Sequence, residues 1–307
     1  MTAFWSSING KLADRVAAIS APALIFWLGG LLAWSLGHGG LHSLAEPASW
    51  LSKQAGVTQA AVLVVVIAAA SASGLIVTRV TPPVLRWLEG YWPRRPRWVN
   101  KLRQRLTARV STQAATDMKT WLALNQKDEK SDDDLAEINR LERVMHRRPD
   151  PPGPYQPTRT GNILRAAEGR PGIKYGLDAV TVWPQLWLVL PEASQQELAA
   201  ARAALDSSVA ATIWGILFCL FGVWTLLAVP AGLLVAVVAA VGWVPARAEV
   251  FGSLLEAAFD LNRTALYRQL RWPLPGNPGA EITQGRLLTQ YLWRGSDRAV
   301  PQFTDPP

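Results

Sequence analysis

Cysteine and histidine are among the residues this chain has least of. One cysteine, Cys219, and three histidines occur in 307 residues. A single thiol makes no internal disulfide, so no oxidising compartment is implied, and a metal site built on cysteine is excluded. Cys219 lies in an apolar run, where a small soft side chain suits a helix or lipid contact. His38 and His42 are four apart, a spacing that a helix would place on one face. A metal site usually needs a third or fourth ligand, and Glu46 is the only acid in that loop. A solvated pair is the simpler reading, and no metal is assigned. His146 sits among arginines at an expected helix end, where the dipole accounts for it. No nucleophile motif occurs, and no carboxylate pair is set among apolar residues. The acidic run 128–134 reads as a solvated loop and helix cap. No catalytic residue and no cofactor is assigned, and an enzyme is the less favoured class.

Charge is missing altogether from four long stretches, residues 19–37, 58–78, 209–228 and 232–244. A helix needs about 20 apolar residues to cross a bilayer, and a backbone in lipid must satisfy its own hydrogen bonds. The stretches therefore predict an all-α integral membrane protein with four transmembrane helices, paired as two hairpins around a mainly helical cytoplasmic module. The expected divisions are an interfacial helix at 1–18, a first hairpin at 19–80, the module at 81–206, a second hairpin at 207–248 and C-terminal helices at 249–307. Mean hydropathy is only +0.11, so the apolar content is concentrated in the spans. Fifteen tryptophans are present, many near span ends, where indole favours the headgroup region. No ionisable residue lies inside a span, which disfavours an ion path through one chain.

Positive charge sets the orientation. Residues 86–109 hold Arg86, Arg94, Arg95, Arg97, Lys101, Arg103, Arg105 and Arg109 against one acid, Glu89. The loop between the first two spans offers only Lys53 and Glu46, and the expected link between the last two, Val229-Pro230-Ala231, has no charge. The positive-inside rule places both termini and the module in the cytoplasm. The competing signal-peptide reading of the N-terminus fails on an overlong apolar core and a poor cleavage site.

Small residues Gly29, Ala33 and Gly37 recur every four positions in the first span, a row that lets another backbone approach closely. Packing within the chain and packing between subunits both use such a row. Pro82-Pro83 is expected to stop the second helix. Beyond it, Trp87, Tyr91, Trp92 and Trp98 alternate with arginines. Such a stretch can stack single-stranded nucleic acid, but beside a span it better fits anionic lipid, with Arg86, Arg94, Arg95, Arg97 and Lys101 as the membrane-surface residues.

Farther on, Leu102, Leu106, Val110, Ala114, Met118 and Trp121 mark one helix face, and Ser131 can cap the next helix. The prolines of 149–157 read as an extended connector. From Pro191 one helix is expected to run to Ala228, partly as a stalk. Strand-like alternation is confined to 179–183, and the uncharged run 179–190 fits either an interfacial piece or core packing.

The densest signal is RTGNILRAAEGRPGIKYGLDAVTVWPQLWLVLPE at 159–192. The order Gly-Asn-x-Leu-Arg-Ala-Ala-Glu, Tyr-Gly-Leu-Asp, Trp-Pro-x-Leu-Trp resembles an uncharacterised family of bacterial integral membrane proteins. The tail AAFDLNRTALYRQLRWPLP, with QYLWRG, is similar to the same proteins. The resemblance implies the membrane architecture and no chemistry. Read physically, Thr160 caps a helix beginning at Gly161, and its free N–H groups lie near Arg159, Asn162 and Arg165. With Arg170 and Lys174 this makes a candidate anion or lipid-headgroup site, although no nucleotide P-loop is present.

These features predict a non-enzymatic scaffold or regulator bound to anionic lipid or a protein partner. The alternative is an oligomeric channel or membrane-perturbing effector assembled through the Gly29/Ala33/Gly37 face.

Overall fold

The structure, a computed structural model, describes residues 21–150 and 154–304. The helix expected at 1–18 lies outside them. Among the described residues every regular element is helical. Helix α1 covers Ala21–Gly37, α2 Ala45–Ser52, α3 Gly56–Leu88, α4 Arg97–Asn125 and α5 Asp132–His146. They are followed by α6 Arg159–Tyr175, α7 Ala179–Val189, α8 Glu192–Phe218, α9 Ala228–Val237, α10 Val244–Gln269 and α11 Pro278–Arg294.

Three of these stretches are long and apolar enough to cross a membrane: Gly56–Leu88, Glu192–Val223 and Ala228–Gln269. Helix α1 and the following Leu41–Ser52 segment meet at 113° and make a fourth if the bent pair is one span. The outward faces of these helices are apolar, with Val57, Leu63, Val64, Val223 and Leu226 all exposed. A contiguous apolar surface of this kind belongs against hydrocarbon rather than water.

The chain divides into two compact units. The apolar unit holds the described residues up to Leu85 together with Asp206–Val244. The charged unit holds Arg86–Leu205 and the residues from Pro245 onward.

Inside the apolar unit, the small residues of α1 admit aromatic rings. Ala33 packs with Phe221 and Ala228, and Phe26 and Phe218 close the cluster. Trp27 donates from Nε1 to Ser73 Oγ at 3.1 Å, tying α1 to α3. Pro82 and Pro83 do not stop α3, which continues to Leu88. Leu85, only 2 % exposed, anchors the turn beyond them and outweighs the two lost N–H donors. Helix α8 closes through a 3-10 turn at Cys219–Val223 and does not reach Ala228. The link between the last two span-length helical stretches is therefore 224–227, and Val229, Pro230 and Ala231 belong to α9, whose first turn tolerates a proline. A π turn at Val238–Trp243 then precedes Pro245, whose missing N–H breaks the regular ladder. His38 and His42 do not share a helix face, because α1 ends at Gly37 and Gly39 and Gly40 turn the chain with positive φ. His38 instead stacks on Trp34.

The core of the charged unit joins α6, α7, α8, α10 and α11 through Leu177, Val182, Leu186, Leu198, Phe259, Tyr267, Trp272 and Leu288. Residues 179–183 are helical, not a strand. Asp178 caps them by accepting from Thr181 N at 2.8 Å, and Val182 and Leu186 supply a buried face at helical spacing. Ser131 forms a reciprocal capping box with Asp134 at the start of α5. Helices α4 and α5 pack as a hairpin, pinned by Arg148 Nη1 to Asp117 Oδ2 at 2.6 Å and Trp121 Nε1 to Glu142 at 3.2 Å.

Candidate functional site

Two groups of cations lie in the charged unit, and they have different surroundings. The first starts in the link between α3 and α4 and continues along α4. Arg94, Arg95, Arg97, Lys101, Arg105 and Arg109 are all exposed. Among the described residues none has a carboxylate within salt-bridge distance. Arg97, Lys101, Arg105 and Arg109 recur every four residues, so they form one stripe on α4. Trp98, 68 % exposed, and Leu102, 44 % exposed, form the adjoining stripe. Trp87 and Tyr91 are exposed just upstream, and Arg86 is exposed beside them. The arrangement is a helix edge with positive charge on one line and amphipathic or apolar side chains on the next.

The second group is the one expected to bind anions at the start of α6. The helix begins at Arg159, two residues earlier than the sequence suggests, and its cap is Thr158, which accepts from Gly161 N at 3.1 Å. Thr160 does not cap, because it is buried in the first turn. Asn162 accepts from Gln156 N at 2.8 Å and donates to the carbonyls of Gln156 and Thr158. Its side chain thereby clamps the incoming connector. A Cβ on Gly161 would collide with the Glu89 carbonyl oxygen, so glycine is required where α6 crosses that backbone. At the other end of α6, Gly176 takes the left-handed conformation (φ 70°) and completes the helix cap, and α11 crosses here at Gly285. The Gly-Asn and Tyr-Gly-Leu-Asp runs are thus turn, cap and crossing residues.

The cations of α6 face the acids of α10. Arg159 pairs with Glu249 at 2.9 Å, Arg170 with Glu256 at 2.6 Å, and Lys174 with Glu256 at 2.7 Å and Asp260 at 3.3 Å. Arg147 of α5 also reaches Glu249, at 2.8 Å. The hydrogen bond to Glu256 holds the Lys174 ammonium above its ordinary pKa. Arg165 is half-buried and approaches the Tyr91 hydroxyl at 3.4 Å. Burial, followed by the charge of Glu168, holds the Glu89 carboxyl above the usual glutamate value.

Sequence reasoning had the cations and missed their partners. Glu249, Glu256 and Asp260 are seven and four residues apart, a spacing that marks one face of a helix. The signal is present in the sequence, but only the packing of α10 on α6 shows which cations it meets.

The small-residue row of the first span is occupied within the chain. A Cβ on Gly29 would meet the Phe218 ring, and one on Gly37 the Trp224 carbonyl. Ala33 is 4 % exposed under Phe221.

The arrangement can bind and orient negative charge, and among the described residues no group of three His, Cys, Asp or Glu side chains could hold a metal ion. No family model, curated protein or solved structure matches the chain.

Proposed function

We propose that this chain is a multi-pass protein of the bacterial inner membrane, with both termini in the cytoplasm. In this reading the charged unit is a non-enzymatic scaffold or regulator whose basic α4 edge holds anionic lipid. The observation that carries it is the set of six exposed cations without carboxylate partners among the described residues, four of them lined up on α4 beside exposed Trp98 and Leu102. Each basic residue near an anionic surface contributes about 1 kcal/mol, and an indole prefers the same depth. The position of the stretch in the chain supports a lipid partner, because Arg86, exposed beside it, is the first residue after the apolar unit.

The test uses the full-length chain extracted in native lipid particles. Phosphatidylglycerol and cardiolipin should be enriched relative to the bulk membrane. Replacing Arg94, Arg95 and Arg97 together by Gln should return the composition to bulk. Enrichment that survives the triple replacement would remove the lipid reading and direct attention to a protein partner.

A further inference from the structure

A cavity of about 530 Å³ opens in the charged unit between α5, α6 and α10. Glu142, Arg143 and His146 line it from α5 and Arg147 from its cap, Ile163, Ala167 and Arg170 from α6, and Glu249 and Val250 from α10. Its wall carries three arginines, Arg143, Arg147 and Arg170, against two carboxylates, Glu142 and Glu249. Glu249 is held between two guanidiniums, Arg147 at 2.8 Å and Arg159 at 2.9 Å, so its charge is already shared. Glu256 is likewise shared by Arg170 and Lys174. Arg170 gives its remaining fork to the His146 carbonyl. Arg143 has no ion pair among the described residues. Glu142 accepts from Trp121 Nε1. Burial, then the charge of Arg170, holds the His146 ring below its ordinary pKa, which favours a neutral imidazole that can donate one N–H.

We infer that this cavity binds a phosphorylated organic anion, with the phosphoryl group on Arg143 and Arg147 and the organic part on Ile163, Ala167 and Val250. Guanidinium forks match phosphate oxygens in a bidentate manner. The volume falls within the range of small-molecule sites, which span roughly 300–1,000 Å³. A wall that is apolar on one side suits a substituted phosphate better than the free ion. A soluble phosphomonoester and a lipid headgroup share this chemistry. The site is independent of the basic α4 edge, since none of the six open cations there lines it.

The experiment titrates the full-length chain, in nanodiscs of phosphatidylcholine at low ionic strength, with glycerol 3-phosphate. Loss of one charge-assisted contact in Arg143→Gln should weaken binding about tenfold. Val250→Trp, which fills the cavity and leaves the arginines in place, should abolish it. Arg94→Gln/Arg95→Gln/Arg97→Gln should leave it unchanged. A parallel arm adds phosphatidic acid to the nanodisc and measures lipid retained through detergent exchange. Retention that depends on Arg143, without binding of the soluble phosphate, identifies a headgroup as the source. Two results overturn the assignment: no binding in either arm, or binding indifferent to both Arg143→Gln and Val250→Trp.

Discussion

Arg170 and Arg97 are the same residue type in opposite settings. Arg170, on α6, donates to Glu256 across a helix crossing, and both side chains are close to nine-tenths buried. Arg97, at the start of α4, stands in the open and pairs with no carboxylate among the described residues. Both belong to arginine-rich stretches of similar appearance in the sequence. A cation beside a buried carboxylate is committed to holding helices together, because removing one partner leaves the other desolvated and unpaired. An open cation contributes little to stability and is free to meet an external anion.

The largest effect should come from breaking the buried pair. Arg170→Ala is expected to destabilise the chain by about 3 kcal/mol, read from thermal or denaturant unfolding of the full protein in a fixed lipid environment. A loss below about 1 kcal/mol would erase the distinction between the two groups of cations. Next comes Gly161→Ala, which drives a methyl into the Glu89 carbonyl and should cost about 2 kcal/mol by the same assay. Removing the Ser131 hydroxyl in Ser131→Ala should cost about 1 kcal/mol, since the capping box at α5 is lost. Arg97→Gln should shift stability by less than about 0.5 kcal/mol while contributing to the loss of anionic lipid.

The smallest effect concerns pH. Glu89 has a raised pKa in the folded chain, so between its unfolded and folded values the folded state holds the extra proton. Stability from this group is fully present at acid pH and is lost as pH rises through the folded value. Glu89→Gln should therefore flatten that decline and raise the midpoint slightly at neutral pH. A steeper decline in the variant would show that the sign is wrong.

Helical content was legible from periodicity, and three of the four uncharged stretches fall largely in helices long and apolar enough to cross a membrane. Two features misread in the apolar unit both turn on proline. Pro82-Pro83 reads as a stop, yet the helix passes through it because Leu85 is buried beyond. Val229-Pro230-Ala231 reads as a turn, yet it opens α9, because the first turn of a helix has no use for the missing proline N–H. Local propensity states the cost of a conformation, and tertiary burial can exceed it. The residues 179–183 follow the same rule: their β-branched side chains alternate like a strand, but the Asp178 cap and the sites for Val182 and Leu186 select a helix.

In the candidate site the sequence by itself determined which residues carry charge, their helical spacing, and the apolar stretches that define the spans. These depend on near neighbours along the chain. Tertiary structure alone decided which cations are neutralised: Arg159, Arg170 and Lys174 meet Glu249, Glu256 and Asp260 from about 90 residues away, whereas the α4 stripe meets no carboxylate among the described residues. It also decided that Gly29 and Gly37 receive Phe218 and Trp224 of the same chain. Charge and size are local properties of each side chain, but pairing and close approach depend on how distant segments cross, and periodicity along one segment does not encode that crossing.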